Sequence, residues 1–381
     1  MENVNLEKGP HYNKFGIEVT QNVDYWREIS ERYGVRSSEV AMIDFNRSGL
    51  CLPNNEVRQD FRVRFRGKFF DGNQSWYALP VRGAEDTNFS AVFGELYFGN
   101  DVIGTTDELM LDTCEASYQR GPNLLNLNSR SRSNCGGCQA CVHNYKNLYD
   151  ETVIKDDLSL KTLGDVQDFF DSRKLDVSGL KQIAVVTGLF SGEENVVEHM
   201  KIVNCAAKKR GFTGELMYFG CEVNSEKALD ELAQIDNFAL VYALDNFTKR
   251  ESLLVKTKSL ISVEDIKRTL DVAKSKGIQT TVSYIAGIDQ VFEIGNGFME
   301  LKDSLTRFPV VNIYQIQTPG QAKIIAENAR GLEYYIQSRV LLENIFADKN
   351  MRPRRWENYR PLWYDYYSDE KLPSNSYGER E

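Results

Sequence analysis

Phe238-Ala-Leu-Val-Tyr-Ala-Leu244 reads as a strand, and what stands on either side of it decides the fold. Downstream, Ser262 offers an N-cap, Val263 to Lys276 carries the spacing of an amphipathic helix, and Gly277 stands just past its end. Thr280-Thr-Val-Ser-Tyr-Ile-Ala286 and Val310-Val-Asn-Ile-Tyr-Gln-Ile316 supply two further strands. Upstream, Ile183-Ala-Val-Val-Thr187 is a short β-branched run ending in Gly188, of the kind that suits a buried parallel strand. Val196 to Arg210 then reads as a helix, Glu215-Leu-Met-Tyr-Phe219 as a strand, and Ser225 to Ile235 as a helix capped by Ser225. Parallel strands require crossover helices, so the alternation predicts an α/β chain with a parallel sheet. A partial or complete parallel β/α (TIM-like) barrel is the leading architecture, ahead of an open doubly wound sheet.

The flanks differ in character. Phe61-Arg-Val-Arg-Phe-Arg66 alternates with period two, Asp71-Gly72-Asn73 supplies turn chemistry, and Ser75-Trp-Tyr-Ala-Leu-Pro-Val81 reads as the second strand of a hairpin. Its arginines form a solvated strand face or a binding site for phosphate or carboxylate. Residues 85–134 are rich in Asn, Ser, Gly and Asp and end in a polar loop, Asn126-Leu-Asn-Ser-Arg-Ser-Arg-Ser-Asn134. The expected organisation is therefore an N-terminal α+β extension over 1–130, serving as a lid or substrate domain, and a barrel core over 131–325. A C-terminal helix with an aromatic and basic tail completes it over 326–381. In that tail, Arg352-Pro-Arg-Arg-Trp-Glu-Asn-Tyr-Arg-Pro-Leu-Trp-Tyr-Asp-Tyr-Tyr367 is either a packed terminal segment or a cationic and aromatic surface for an anionic substrate.

Of 381 residues, 41% are hydrophobic and 11% aromatic, which excludes disorder as the main state. The net charge of -9 argues against a duplex DNA binder, whose affinity comes mainly from neutralising phosphates. Met1-Glu2-Asn3-Val4-Asn5 lacks the basic start and apolar core of a signal peptide. No apolar run approaches the roughly 18 residues of a membrane span. The expectation is a cytoplasmic protein without a membrane partner. The cysteine count, 7, is odd, so metal ligation in a reducing compartment is a better reading than a disulfide framework.

Three of those cysteines fall within Asn134-Cys-Gly-Gly-Cys-Gln-Ala-Cys-Val-His143. A 4Fe-4S cluster normally takes four thiolates, so Cys135, Cys138 and Cys141 leave one iron for a small-molecule ligand. A structural zinc site would be closed by a fourth ligand, and His143 is placed to make a Cys3His set. A merely flexible Gly/Cys loop is the third reading.

The strand ends carry an interpretable series: Thr187-Gly-Leu-Phe-Ser-Gly-Glu-Glu-Asn195, Leu244-Asp-Asn-Phe247, Tyr284-Ile-Ala-Gly-Ile-Asp289 and Gln315-Ile-Gln-Thr-Pro-Gly320. A three-cysteine loop ahead of such a series resembles the radical S-adenosylmethionine (radical SAM) superfamily. Within it, the stretch from Phe238 to Pro319 is most similar to the biotin synthase branch, on the Leu-Asp pair, the Glu264-Asp-Ile-Lys-Arg-Thr-Leu-Asp-Val-Ala-Lys helix and the Ile-x-Gly-Ile strand end. The resemblance covers roughly residues 135–325. It implies that Cys135, Cys138 and Cys141 ligate a 4Fe-4S cluster whose fourth iron chelates S-adenosylmethionine. It also implies that Ser191, Gly192, Glu193 and Glu194 stand where the family's Gly-Gly-Glu-Pro turn binds the methionyl amine. Asp245 would bind the ribose, Gly287 and Ile288 would line the adenine, and Gln317 with Pro319 would lie near the adenosine. Lys256 and Lys258 are read first as solvated surface lysines, with pairing of one of them to the methionyl carboxylate as the alternative.

The sequence departs from the family in the cysteine gaps, which hold two residues each where the first usually holds three, and in Ala140, where an aromatic is common. Leu216 and Thr281 occupy the positions of the cysteines that hold biotin synthase's second cluster, which disfavours sulfur insertion. Cys51, Cys114, Cys205 and Cys221 are single thiols with a second cluster as the rarer reading. The implied activity is reductive cleavage of S-adenosylmethionine to a 5'-deoxyadenosyl radical, which takes hydrogen from a small-molecule substrate in cofactor or natural-product biosynthesis. Flavodoxin or ferredoxin would be the one-electron donor. The rival is a non-catalytic zinc-knuckle protein binding RNA or a protein partner.

Overall fold

The computed structural model describes residues 10–52, 62–69, 74–111, 117–121, 124–129, 137–141, 160–349, 351–354 and 360–364. Two helices, α1 (Asp24–Tyr33) and α2 (Ser37–Ser48), precede six strands: β1 (Leu50–Cys51), β2 (Arg62–Phe69), β3 (Gln74–Arg82), β4 (Phe89–Val92), β5 (Glu95–Phe98) and β6 (Asp101–Leu111). These close into a barrel in the order β1-β3-β2-β6-β5-β4. The closing element is short: β1 pairs in parallel with β3 on one side and with β4 on the other. The period-two pattern in β2 sends Val63, Phe65 and Phe69 inward, where all three are fully buried. Phe45 of α2 enters among them, its ring 5.0–5.3 Å from those of Phe65, Phe69, Tyr77 and Phe89. Tilted and edge-on contacts of this kind add to what area burial alone contributes. The expected hairpin is present as the antiparallel β2–β3 pair, and its turn residues lie outside the described residues.

The second sheet has seven strands in the order β13-β12-β11-β10-β9-β8-β7, comprising β7 (Ser117–Gly121), β8 (Leu124–Leu127), β9 (Gln182–Val186), β10 (Glu215–Gly220), β11 (Phe238–Asp245), β12 (Gln279–Ala286) and β13 (Val310–Ile313). Strands β8 to β13 are parallel and follow one another in chain order, and β7 is antiparallel at the edge. The crossovers include α3 (Leu163–Ser172), α4 (Glu193–Lys208), α5 (Glu226–Leu232), α6 (Arg250–Leu253), α7 (Lys256–Ser259), α8 (Val263–Ser275) and α9 (Val291–Leu301), with α10 (Leu332–Phe346) after the last strand. Crossovers of one hand between successive strands put the helices on one face and curl the sheet, which gives a half-barrel. Ile183, Val185, Leu216, Tyr218, Leu240 and Tyr242 join the main core. The alternate residues Ala184, Met217, Ala239, Val241 and Val310 form a separate cluster, and Ala184, Met217 and Ala239 are in register across three strands. The helix ends follow the expected chemistry: Ser225 caps α5, Ser262 and Asp265 form a capping box on α8, and Gly277 takes a left-handed φ of 80°.

One expectation needs correction, and one open alternative is decided for the described residues. The expected polar loop does not begin at Asn126, since Asn126 and Leu127 belong to β8, and Asn126, Asn128 and Ser129 are buried. Strand β8 pairs with β9 from Leu124↔Gln182 to Leu127↔Val185, so a long-range partner makes a strand of residues that read as the start of a polar loop. Of the tail's two readings, its described part follows the packed one: Leu362, Trp363 and Tyr364 are at most 2% exposed, and Tyr364 stacks on Tyr77 at 5.2 Å. It binds the free side of β13, where Ile313 N donates to Arg360 O at 2.7 Å and Arg360 N donates to Asn312 Oδ1 at 2.7 Å.

One buried amide joins the two sheets. Gln315 Nε2, just past β13, donates to Asn46 O, Asn46 Oδ1 and Ala78 O at 2.7–2.8 Å. Arg82 adds bonds to Ser48 O and Ile316 O, and burial lowers its pKa to about 10. No helix among the described residues is long and apolar enough to cross a membrane.

Candidate functional site

All six parallel strands end on the same side of the sheet, where a β/α barrel collects its reactive groups. The cysteine loop lies across this edge, its described part spanning residues 137–141. Gly137 takes a φ of 76°, a left-handed conformation that favours glycine, and Cys141 N returns a bond to Cys138 O at 2.9 Å. The loop is fixed at two points. Gln139 N donates to Leu253 O at 2.7 Å, and Gln321 Nε2 reaches Ala140 O at 3.5 Å. The backbone N–H of Val255 favours the ionised form of the Cys138 sulfur.

Cys138 and Cys141 are both half-buried and free of disulfides. Burial pushes the Cys138 thiol up, the Lys258 ammonium and the Val255 N–H oppose that, and Asp245 and Cys141 add to the rise. Two soft sulfur donors close enough to influence one another, with a backbone N–H favouring the thiolate of one of them, fit a thiolate-ligated metal centre. Cys135 and His143 lie outside the described residues. Among the described residues, no three His, Cys, Asp or Glu side chains are disposed to hold a metal ion.

Asp245 ends β11 at a bulge, with a φ of 67° that a bulky residue would resist. Its carboxylate accepts from Lys258 Nζ, and the two side chains are only 15% and 14% exposed. Burial works against the lysine's charge, but Asp245 and the Cys221 and Cys138 sulfurs outweigh it and hold the ammonium above the usual lysine range. Arg250 ties this corner together, with Nη1 bonded to Leu244 O and Asn246 O and Nη2 to Lys258 O and Ile261 O. Cys221, just past β10 and 4% exposed, shares the same electrostatic neighbourhood, and burial pushes its thiol up to about 12.

The remaining predicted residues stand elsewhere on the edge. Ser191 and Gly192 precede α4, and Ser191 Oγ accepts from Asn195 Nδ2 at 2.9 Å. Glu193 Oε2 accepts from Asn224 N at 3.1 Å and Ser225 N at 2.9 Å, at the head of α5. Burial opposes its ionisation, yet these bonds prevail and hold the carboxyl below its usual range. Glu193 and Glu194 also line a cleft of about 320 Å³ between α4 and α5, with Lys201 and Lys227. Gln317 is half-buried after β13, and its N–H donates to Gln321 Oε1 at 2.8 Å.

Gly287 ends β12 with both backbone groups engaged: its N–H donates to Tyr334 Oη and its carbonyl accepts from Ala326 N, both at 2.9 Å. Ile288 beside it is wholly buried in the main core. A Cβ on Gly287 would come within 2.8 Å of Tyr314 Cβ, and the φ of 126° strains any other residue. Gly287→Ala is therefore expected to destabilise the fold by roughly 2–3 kcal/mol, read as a lowered urea midpoint at unchanged slope.

The edge thus brings Cys138, Cys141 and Asp245 together, places Ser191, Gly192 and Glu193 at the α4–α5 side, and seats Gly287 and Ile288 within the protein's own packing. Two acids that sequence reasoning did not assign hold the loops. Glu222 accepts from Tyr218 Oη, Cys221 N and Phe190 N, which ties the β9 loop to the β10 loop. Asp289, fully buried, accepts from Phe247 N, Thr248 N, Thr248 Oγ1 and Tyr284 Oη at 2.6–3.0 Å. The only sequence signal for either was an acid shortly after a strand end.

No family profile matches the chain, and no curated protein matches it. Several solved structures are similar over part of it. One is the radical S-adenosylmethionine methyltransferase TsrM from Kitasatospora setae, with cobalamin and a 4Fe-4S cluster bound (TM-score 0.33, 13% identity, 47% of this chain and 34% of that one). A second is Streptococcus suis SuiB bound to S-adenosylmethionine (0.36, 12%, 51% and 40%). A third is the FeFe-hydrogenase maturase HydG from Carboxydothermus hydrogenoformans (0.40, 13%, 59% and 51%). The chain spans between a third and about half of the length of these proteins.

Proposed function

We propose that this chain is a radical S-adenosylmethionine enzyme whose Cys135, Cys138 and Cys141 ligate a 4Fe-4S cluster with one iron left to S-adenosylmethionine. The observation that carries this reading is the position of the described thiols. They sit in a loop pinned to the C-terminal edge of six parallel strands in chain order, with the ammonium of a largely buried lysine favouring the thiolate of Cys138. When bound, such a cluster supplies one electron to the sulfonium, and the 5'-deoxyadenosyl radical so released takes hydrogen from a substrate.

The chain's own residues supply geometry. Leu253 and Gln321 hold the loop against the sheet edge, so the thiols keep a fixed separation from the strand ends. Asp245 stands at the end of β11, where a carboxylate can accept both ribose hydroxyls, and Lys258 holds it in place. The substrate belongs to the proposal as a small molecule; Ala184, Met217, Ala239, Val241 and Val310 are at most 1% exposed and pack the sheet that carries the strand ends. The external one-electron donor belongs to the proposal as a flavodoxin- or ferredoxin-like protein.

Anaerobic incubation of the whole chain with iron and sulfide tests the reading. The expected product is brown, carries iron and sulfide in about equal amounts, and forms 5'-deoxyadenosine from S-adenosylmethionine after reduction. A colourless protein with one tightly held zinc and no 5'-deoxyadenosine would overturn it in favour of the zinc knuckle.

A further inference from the structure

The corner beside the cysteine loop holds a charge arrangement that ligation alone does not use. Lys258 and Asp245 form an ion pair largely removed from water, so its field on neighbouring groups is weakly screened. The pair is rigidly related to the loop. The residue after Cys138, Gln139, is bonded through its N–H to Leu253 O, and Val255 and Lys258 follow on the same short stretch, where both the Val255 N–H and the Lys258 ammonium favour the Cys138 thiolate. Arg250 clamps Lys258 O, Ile261 O, Asn246 O and Leu244 O together. Lysine and carboxylate are therefore both held near Cys138, with opposite signs.

We propose that the Lys258–Asp245 pair sets the reduction potential of the metal centre, the ammonium favouring its reduced state and the carboxylate opposing it. The inference rests on reading the cysteine loop as a cluster site. Reduction adds one electron and hence one negative charge to the centre, so a nearby cation raises the potential and a nearby anion lowers it. Removing one partner also uncovers the other, so the two single changes act in opposite directions. A role in local packing alone predicts no such pattern of signs.

The experiment compares the reconstituted wild type with Lys258→Met, Asp245→Asn, the double variant and Lys258→Arg. Each is assayed for iron and sulfide, then titrated potentiometrically with dithionite as the electron source and the spectrum of the centre as the readout. The expected result is a potential more negative than wild type for Lys258→Met, more positive for Asp245→Asn, intermediate for the double variant, and close to wild type for Lys258→Arg. If Lys258→Met takes up no iron, Asp245→Asn decides by itself, and its potential must rise. Single variants that shift in the same direction, or do not shift while carrying a full complement of iron, overturn the inference and leave the cluster reading standing. A wild type that takes up no iron and sulfide overturns both.

Discussion

Cys138→Ala is expected to leave the protein folded and to abolish its metal centre. The side chain is half-buried in a loop outside any helix or strand, so truncation costs about 1 kcal/mol or less and the thermal transition stays near that of the wild type. The functional loss is of another order. Changing groups that merely support a metal ligand typically costs about 10–100-fold, so loss of a ligand itself should reduce 5'-deoxyadenosine formation by more than about a hundredfold. Iron and sulfide after reconstitution should fall together with it. Cys205→Ala is the matched control, because that thiol is exposed on α4 and plays no part in the loop. A Cys138→Ala protein that stays brown and still forms 5'-deoxyadenosine would show that the centre is built elsewhere, and the assignment of the loop would fail.

How much of this was legible in the sequence depended on how local each interaction is. Strands β9 to β13 announced themselves because a strand buried between helices and a second apolar face must be almost wholly apolar, and runs such as Phe238–Leu244 have few other uses. Strand β8 did not, because four residues containing Asn126 become a strand only through pairing with β9, more than fifty positions away. The closed six-stranded barrel was invisible for the same reason. Its hairpin was readable from alternation, but its closure rests on β1, two residues that pair in parallel with two distant strands.

The site shows the same division. Cys138 and Cys141 were readable because thiols at close spacing have a restricted set of functions. Asp245 was readable as an acid at a strand end, yet its engagement by Lys258 was not, since a one-turn helix thirteen residues on has to fold back to deliver the lysine. Glu193 was found as part of a turn, while its carboxylate is directed by the unpaired N–H groups at the head of α5, a partner set by the packing of two helices. Asp289 was quoted as the last residue of a strand end and given no role. Its importance comes from donors on β12 and on the loop after β11 that converge only in three dimensions.

That convergence makes Asp289→Ala the substitution with the largest expected effect on stability. The carboxylate is fully buried and meets four donors, two of them backbone N–H groups. Alanine would leave Phe247 N and Thr248 N without partners in a place where water does not readily replace the lost oxygens. Each buried group left unpaired costs about 1–3 kcal/mol, so the expected loss is roughly 3–5 kcal/mol once the hydroxyls of Thr248 and Tyr284 have partly reoriented. Tyr284→Phe removes a single donor and should cost about 1 kcal/mol, which calibrates the network. Urea unfolding of the metal-free protein reads both values. The consequence should reach the metal centre as well, because residues 246–248 lead into Arg250, and Arg250 clamps the turn that bears Lys258 beside Cys138. Iron uptake by Asp289→Ala, measured at a urea-free temperature where it remains folded, should therefore fall although the residue binds no metal. An Asp289→Ala protein within about 1 kcal/mol of the wild type would mean that its four donors find other partners cheaply. The edge of the sheet would then owe its order to the strands themselves rather than to the acid that joins their loops.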